Sequence, residues 1–289
     1  MVHKVIIPAA GIGTRLFPVT KEQPKEMLPI FSKTPQGDMI VKPVVQLVFE
    51  QLYDVGLHEF CFVVGRDKRS IEDHFTPDTD CIQTLEASGK DDQASDLENF
   101  YNKLDTSTIL WVNQPKPKGF GNAVLMAQPF IQNESCLVHA GDSCIISKNM
   151  DYIKKLLDNF HQLNADAIFL VLETKDPQQY GIVEGDEIDL GIIKVKTVVE
   201  KPDKPKTNLA IMAMYVFRPV IFKALKSTKP GKNGEIQLTD AIQKLVDWNL
   251  NVYAVKLDDT YKHLDIGNPE RYWEAIELSH KQFYKRQIL

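Results

Sequence analysis

Short apolar runs alternate with longer amphipathic segments along this chain, and this alternation limits the fold more than any other feature. In the first half, strands are predicted where the sequence reads KVIIPAA, EFCFVV, TILWV and SCLVHA, over residues 4–10, 59–64, 108–112 and 135–140. Helical patterns are predicted between them, over residues 41–55, 67–75 and 120–130. Buried strands that alternate with helices predict an α/β fold with a Rossmann-like mixed, mainly parallel sheet flanked by helices.

The second half of the chain continues this pattern less regularly. Strands are predicted over residues 167–172, 181–183, 192–200, 209–217 and 252–256, and helices over residues 152–163, 220–225, 236–248 and from residue 269 onward. Residues 32–42 are rich in turn formers, and residues 78–102 are polar and acidic, so we expect a loop and a mobile helix with a loop at the rim. No linker divides the chain, so we predict a single domain over residues 1–289 that ends in a helix over residues 269–289.

Composition argues against several classes of protein. Hydrophobic residues make up 43% of the 289 residues, which is enough for a substantial core. The net charge is −5, with 34 basic and 39 acidic side chains, and this balance disfavours nucleic acid as a partner. No apolar stretch approaches the length of a membrane span, so no membrane partner is expected. The four cysteines form no CxxC pair, and we expect reduced thiols in a cytoplasmic protein.

A glycine-rich loop follows the first predicted strand, at the edge where ligands bind in sheets of this kind. It reads GIGTR over residues 11–15, and Lys25 follows ten residues later within PKEMLP. The two glycines let the backbone approach a ligand and point N–H groups at it. Arg15 offers a fork of donors suited to phosphate oxygens, and Lys25 adds a positive charge. These groups can hold a triphosphate and neutralise a leaving pyrophosphate.

Two common phosphate-binding loops fit this segment less well. A P-loop requires GxxxxGK[ST], which is absent, and a dinucleotide fingerprint requires a third glycine where this chain has Leu16. A glycine turn with an incidental arginine would explain GxG alone. It does not explain the PKEMLP that follows.

The string GxGTR followed by PKEMLP resembles the sugar-1-phosphate nucleotidyltransferases, and most closely their bacterial-type members that use UTP and glucose 1-phosphate. The resemblance runs from the first strand to about Trp273 and so covers nearly the whole chain. It implies the nucleotide-diphospho-sugar transferase fold, with a nucleotide-binding half over about residues 1–145 and a sugar-binding half over about residues 146–268. It also implies catalytic roles for four charged residues, Arg15, Lys25, Asp142 and Lys201.

A second match concerns the nucleotide base. The family has an Ala-Gly at the strand end and a Gln before a KG.G.A segment, and this chain has Ala10-Gly11, Gln114 and KGFGNA. A Gln amide offers a donor and an acceptor that can pair with a uracil edge, although Gln114 alone could equally be a solvated loop residue. The resemblance assigns nucleotide binding to Ala9, Ala10, Gly11, Gly13, Thr14, Gln114 and Gly119.

Two aspartates match the metal ligands of the family. Asp142 ends a predicted strand in HAGD, and Asp265 lies in HLDIGN. Two carboxylates on strand-end loops suit Mg²⁺, which keeps waters and bridges phosphate oxygens. A turn or a helix cap is the alternative role for each. The next residues are Ser143-Cys144, where the family usually has an acidic or aliphatic residue, so the surroundings of the metal stay open.

A third match concerns the sugar. YGIV at residues 180–183 and VVEKP at residues 198–202 resemble two strands of the family, and they imply sugar binding by Gly181, Glu200 and Lys201. The Glu200 carboxylate would accept from sugar hydroxyls, and Lys201 would meet the sugar phosphate. A surface Glu-Lys pair is the alternative. We interpret GEIQLTD at residues 234–240 mainly as a helix start beneath the site, with Glu235 near the sugar as a weaker interpretation.

The resemblance as a whole implies transfer of UMP from UTP to glucose 1-phosphate by in-line attack with Mg²⁺, which forms UDP-glucose and pyrophosphate. Use of dTTP, alone or beside UTP, is an alternative, although relatives that use dTTP usually carry Gly-Gly and SKQLLP. A catalytically silent regulator that binds nucleotide sugars is the alternative outside catalysis. We also expect a homo-oligomer, whose form is left open by the short C-terminus and an insertion over residues 34–41.

Overall fold

The computed structural model describes residues 2–34, 36–146, 151–231 and 234–284. In chain order, the strands are β1 (Lys4–Ala9), β2 (Pro29–Lys33), β3 (Met39–Pro43), β4 (Glu59–Val64), β5 (Thr108–Asn113), β6 (Cys136–His139), β7 (Ser143–Ile146), β8 (Ala167–Glu173), β9 (Gly181–Asp189), β10 (Ile192–Glu200), β11 (Leu209–Phe217), β12 (Val252–Lys256) and β13 (Lys262–Asp265). The helices are α1 (Val44–Asp54), α2 (Arg69–His74), α3 (Thr79–Ala87), α4 (Asp91–Asp105), α5 (Phe120–Met126), α6 (Gln128–Ile131), α7 (Asp151–Gln162), α8 (Val220–Ser227), α9 (Leu238–Asp247) and α10 (Pro269–Tyr284).

Nine of the strands form one mixed sheet in the order β5-β4-β1-β6-β11-β8-β12-β10-β9. The pairs β5–β4, β4–β1, β1–β6 and β8–β12 are parallel, whereas β10 and β11 run against their neighbours. Most strands therefore share one direction, and the predicted fold class is confirmed. β9 also pairs with β11, at Ile182 and Ala210, which folds the β9–β10 hairpin back towards the centre of the sheet.

Strand β1 lies in the interior of this sheet, and all six of its residues are buried. Val5 and Ile7 pack in one apolar cluster with Phe49 of α1, whereas Ile6 packs in a second cluster with Val124 of α5. Successive side chains of a strand point to opposite faces, so a strand covered on both sides needs apolar residues at every position.

The predicted loop over residues 32–42 is wrong for most of its length, because β2 and β3 pair as an antiparallel hairpin. The turn formers occupy only its tip, where Gly37 has a φ of 102°. The helix predicted from residue 41 begins at Val44 instead, because Pro43 ends β3 and restricts the backbone just before α1.

The acidic segment over residues 78–102 forms two helices, α3 and α4, where one helix and a loop were predicted. Phe100 of α4 lies 6.0 Å from Phe49 of α1 between ring centroids, and Asp96 pairs with Lys42 of β3 at 2.8 Å. These residues share one face of α4, which explains how a polar segment can pack on the core.

Strands β7 and β13 form a separate two-stranded antiparallel sheet that the sequence did not predict, and it places Asp265 opposite Ser143. α10 follows β13 and packs on β2, where Phe31 and His280 stack edge to face at 5.0 Å. Residues 285–289 of the predicted last helix lie outside the described residues. Within the described ranges, no helix has the length and apolar character needed to cross a membrane.

Candidate active site

The predicted phosphate loop leaves the carboxyl end of β1 and turns at Gly13. Its φ of 74° is a left-handed conformation that glycine adopts without strain. The Thr20 hydroxyl donates to the Gly13 carbonyl at 2.8 Å, and the Leu16 N–H donates to the same oxygen at 2.9 Å. The Leu16 side chain is buried, so the loop is anchored while Arg15 stays exposed and faces the cavity.

Lys25 and Asp142 form an ion pair next to this loop. Both side chains are largely enclosed, with 17% and 19% of their surface exposed. Burial alone would lower the pKa of Lys25, but the charges of Asp142 and Glu26 raise it above its usual value. Burial alone would raise the pKa of Asp142, but Lys25 holds it below its usual value. Both groups therefore stay ionised at neutral pH.

A second buried ion pair lies beside Lys25, and the sequence analysis missed it. Glu26 is 2% exposed and Lys68 is 6% exposed, and their charged atoms lie 2.8 Å apart. Burial raises the pKa of Glu26, while Lys68 opposes this shift. The pair fixes the short 3₁₀ turn that carries Lys25. PKEMLP contains Glu26 and could have pointed to it, whereas no local pattern marks Lys68.

On the other side of the loop, Gln114 follows β5 and is 4% exposed. Its backbone N–H donates to the Val64 carbonyl at 2.7 Å. Its side-chain Nε2 donates to the Gly119 carbonyl at 3.2 Å and to Asn122 Oδ1 at 2.9 Å. A methyl group on Gly119 would lie 2.7 Å from Glu235 Cβ, so this close approach requires glycine.

Two adjoining cavities connect these groups. The first has a volume of about 570 Å³, and most of the predicted nucleotide residues line it: Ala10, Gly11, Gly13, Thr14, Gln114 and Gly119. The second has a volume of about 260 Å³ and is lined by the predicted sugar residues together with one metal candidate: Gly181, Glu200, Lys201 and Asp265. Residues that line both cavities are Arg15, Phe120, Asp142, Lys201 and Glu235. Ala9 differs, because it is 1% exposed within β1 and is not among the described residues that line either cavity.

Glu200 and Lys201 lie at the end of β10, next to the start of β9. Glu200 pairs with Lys201 Nζ at 2.8 Å and accepts from the Thr239 hydroxyl at 3.0 Å. Lys201 has a φ of 42°, a left-handed conformation that is uncommon outside glycine and concentrates at functional sites. A methyl group on Gly181 would lie 2.6 Å from Thr239 Cγ2, so Gly181 permits the close packing that holds Glu200. GEIQLTD therefore supplies Thr239, which the sequence analysis did not single out.

The β7–β13 pairing brings Asp265 to the same edge as Asp142, and the Ile266 N–H donates to the Asp142 carbonyl at 3.0 Å. Arg271 of α10 pairs with Asp265 at 2.5 Å between Nη1 and Oδ2. Its guanidinium lies 4.4 Å from the centroid of the Tyr180 ring. Arg271 lies in no recognised motif, so sequence reasoning missed it.

The family model described as nucleotidyl transferase matches residues 4–282. The chain belongs to the nucleotidyltransferase family. A UTP–glucose-1-phosphate uridylyltransferase of Pseudomonas aeruginosa is 35% identical over 291 residues, covering 99% of this chain and 98% of the relative. A Bacillus subtilis protein of the same name is 38% identical over 269 residues, covering 92% of this chain and 87% of the relative. A solved UDP-glucose pyrophosphorylase complexed with UDP-glucose matches with a TM-score of 0.83 and 32% identity, covering 99% of this chain and 100% of that chain.

Nucleotidyltransferases generally use a divalent metal ion. Within the described ranges, no three His, Cys, Asp or Glu side chains are grouped to hold a metal. Asp142 and Asp265 nevertheless lie at one edge, and two carboxylates completed by phosphate oxygens and water are typical of Mg²⁺. Nε2 of His263 is buried and has no hydrogen-bond partner among the described residues. Burial lowers the pKa of His263, and the charges of Asp265 and Asp142 oppose this shift. The residues at this edge of the nucleotidyltransferase therefore fit a divalent metal ion that binds together with phosphates.

Ser143 and Cys144 differ from the acidic or aliphatic residue that the family usually has at this place, but this difference does not alter the pair of carboxylates. Ser143 pairs with Asp265 through the backbone, and its side chain lines the second cavity. Cys144 is 2% exposed and packs in the core of the nucleotidyltransferase.

Proposed function

We propose that this nucleotidyltransferase transfers UMP from UTP to glucose 1-phosphate and forms UDP-glucose and pyrophosphate. The observation that carries the proposal is that both cavities are lined by Arg15, Asp142 and Lys201. Two phosphate substrates that react directly must meet at charged groups held in place by the protein. The names of the Pseudomonas aeruginosa and Bacillus subtilis relatives support the choice of UTP and glucose 1-phosphate.

The first cavity takes UTP in this proposal. The N–H groups of the loop from Gly11 to Thr14 cradle the phosphates, and Gln114 pairs with the base, with Ala10 and Gly119 leaving room for it. Residues 1–145 thus form the nucleotide-binding half of one domain. Ala9 supports this half from within β1 without lining the cavity.

The second cavity takes glucose 1-phosphate, and residues 146–268 form the sugar-binding half. Glu200 accepts from sugar hydroxyls, in an orientation fixed by the Thr239 hydroxyl. Gly181 permits the close packing of Thr239 that holds Glu200. Lys201, which lines both cavities, holds the sugar phosphate.

The reaction needs no protein nucleophile. A phosphate oxygen of glucose 1-phosphate attacks the α-phosphorus of UTP in line, the bond to the bridging oxygen of the β-phosphate breaks, and pyrophosphate leaves with that oxygen. Arg15 and Lys25 stabilise the charge that develops on the leaving group, and Lys201 steadies the attacking phosphate. The chain contributes position and charge.

Asp142 and Asp265 would hold Mg²⁺, which supplies positive charge to the phosphate oxygens when it is bound. In the structure, Lys25 and Arg271 neutralise these two carboxylates. Lys25 thus keeps Asp142 ionised, and Arg271 holds the Asp265 carboxylate in place.

Pyrophosphate release tests the proposal. The protein is mixed with Mg²⁺, glucose 1-phosphate and each nucleoside triphosphate in turn. We expect release with UTP, and release with dTTP as well would establish dual use. The absence of release with both UTP and dTTP would refute an enzyme of this class and favour a silent regulator.

We also propose that the enzyme works in the cytoplasm. All four cysteines are free thiols, three of them buried, as expected where thiols stay reduced.

A further inference from the structure

The orientation of the Gln114 side chain is fixed by two acceptors. The Gly119 carbonyl lies 3.2 Å from Nε2, and Asn122 Oδ1 lies 2.9 Å from the same nitrogen. A backbone carbonyl oxygen can only accept, so the group that faces Gly119 must be the NH₂ of the Gln114 amide. The Gly119 carbonyl also accepts from the Ala123 N–H at 3.1 Å, which ties it to the first turn of α5.

These two contacts use both hydrogens of the Gln114 amide. The remaining polar atom is Oε1, and within the described part of the chain no donor contacts it. Gln114 lines the first cavity, so this amide can present only an acceptor to a ligand there.

Asn122 is suited to hold this arrangement. It is 9% exposed on α5, and the Gly121 N–H beside it donates to the Ile236 carbonyl at 2.9 Å, which fixes the turn. We propose that Asn122 is a positioning residue that keeps Gln114 Oε1 directed into the cavity, so that the site selects a pyrimidine with an N3–H donor and rejects cytosine.

The selection follows from the hydrogen-bonding edges of the bases. Uracil and thymine carry a hydrogen on N3 that an amide oxygen accepts. Cytosine carries a lone pair on N3, which would face the lone pairs of Oε1. A site built around a fixed hydrogen bond rejects a ligand that leaves its polar group unpaired. Uracil and thymine do not differ at N3, so Asn122 has no part in choosing between UTP and dTTP.

The inference rests on the proposed function for the place of the base, and equilibrium binding tests it without turnover. Binding of UTP and of CTP is measured by calorimetry without glucose 1-phosphate, for the wild type and for Asn122→Leu, Asn122→Asp and Asn159→Leu. Leucine keeps the shape of Asn122 and removes the acceptor, whereas aspartate keeps the acceptor. Asn159 lies on α7 and lines neither cavity among the described residues, so Asn159→Leu is the matched control.

We expect the wild type to bind UTP roughly tenfold or more tightly than CTP. Asn122→Leu should lower this ratio of affinities about fivefold, which corresponds to the typical contribution of one hydrogen bond. Asn122→Asp and Asn159→Leu should keep the ratio within about twofold, which is smaller than the effect of losing one hydrogen bond. The ratio is independent of the folded fraction, and Asn122→Ala carries the same expectation if the leucine variant does not fold.

An unchanged ratio in Asn122→Leu, or an equal loss in Asn122→Asp, would overturn the role of Asn122. This outcome differs from a failure of the proposed function. A protein that prefers UTP in binding but releases no pyrophosphate would refute the transfer reaction and leave the inference standing.

Discussion

At the scale of single residues, three of the four assigned cations of the candidate site each pair with a carboxylate. The ion pairs at the two cavities are Lys25–Asp142, Arg271–Asp265 and Lys201–Glu200. Arg15 lines both cavities, yet within the described part of the chain no carboxylate pairs with it. Because the Arg15 guanidinium has no carboxylate partner in the described fold, it is available to bind a ligand. Its removal should therefore affect activity without affecting stability.

Arg15→Ala should therefore lower kcat/KM for pyrophosphate release by about 100-fold or more, as expected for a lost donor to developing charge. The free energy of unfolding should stay within about 0.5 kcal/mol of the wild type, because an exposed side chain is removed. Both values are obtained from steady-state kinetics and urea denaturation. Arg66→Ala is the control, since Arg66 is 96% exposed and should leave both values unchanged. A wild-type rate in Arg15→Ala would contradict the assigned role.

His74 gives a prediction on pH and stability. Burial lowers its pKa from 6.5 to about 4, and it stacks on Phe100 of α4 at 5.3 Å. Between these pH values the unfolded chain binds a proton that the folded chain does not, so the free energy of unfolding falls as the pH falls through this window. His74→Gln should make that fall less steep by up to about 1.4 kcal/mol per pH unit.

Urea denaturation at several pH values between 4 and 6.5, the range set by the two pKa values, measures this slope. His161→Gln, at an exposed position of α7, is the control and should keep the wild-type slope. An equal slope in wild type and His74→Gln would show that His74 is protonated in both states.

At the scale of elements, the KGFGNA loop over residues 118–123 depends on a contact between two distant segments. The Ile236 N–H donates to the Lys118 carbonyl at 2.8 Å, and the Gly121 N–H donates to the Ile236 carbonyl at 2.9 Å. GEIQLTD therefore packs against KGFGNA. The sequence analysis predicts that GEIQLTD lies beneath the site, but no linear pattern predicts its pairing with KGFGNA. The close approach depends on Gly121, since a methyl group there would lie 2.7 Å from the Ile236 carbonyl oxygen.

Gly121→Ala should lower the free energy of unfolding by about 1–3 kcal/mol, because backbone atoms must move apart to accept the methyl group. It should also weaken UTP binding, because α5 carries Asn122. Gly11→Ala is the matched comparison, since a methyl group at Gly11 meets only Lys25 side-chain atoms, at 3.6 Å and beyond. That variant should keep its stability and lose UTP affinity. Equal stability of the two variants in urea denaturation would contradict the packing argument.

At the scale of the whole molecule, the sequence predicts the central sheet well where its strands are buried on both faces and largely apolar, as β1 is after Lys4. The prediction of a buried strand is wrong for β5, because this strand lies at the edge of the sheet and is exposed or half-buried along its whole length. Motifs also mark many residues that line the two cavities, such as Gln114 and Glu200, but they do not mark Thr239 or Arg271.

The sequence misses what depends on long-range pairing. β13 joins β7 across more than a hundred residues, and only this pairing brings Asp265 to Asp142. Lys68 and Arg271 are likewise placed by tertiary structure, so their local sequence carries no signal. The expected homo-oligomer stays a prediction.

The central claim is that the two cavities hold UTP and glucose 1-phosphate for direct transfer of UMP. UTP labelled at the α-phosphorus, incubated with the protein, Mg²⁺ and glucose 1-phosphate, tests it most directly. We predict that the label appears in UDP-glucose, that γ-labelled UTP yields labelled pyrophosphate, and that Asp142→Asn forms neither product at a comparable rate. Label that stays in UTP, or that appears as free UMP, would contradict the account.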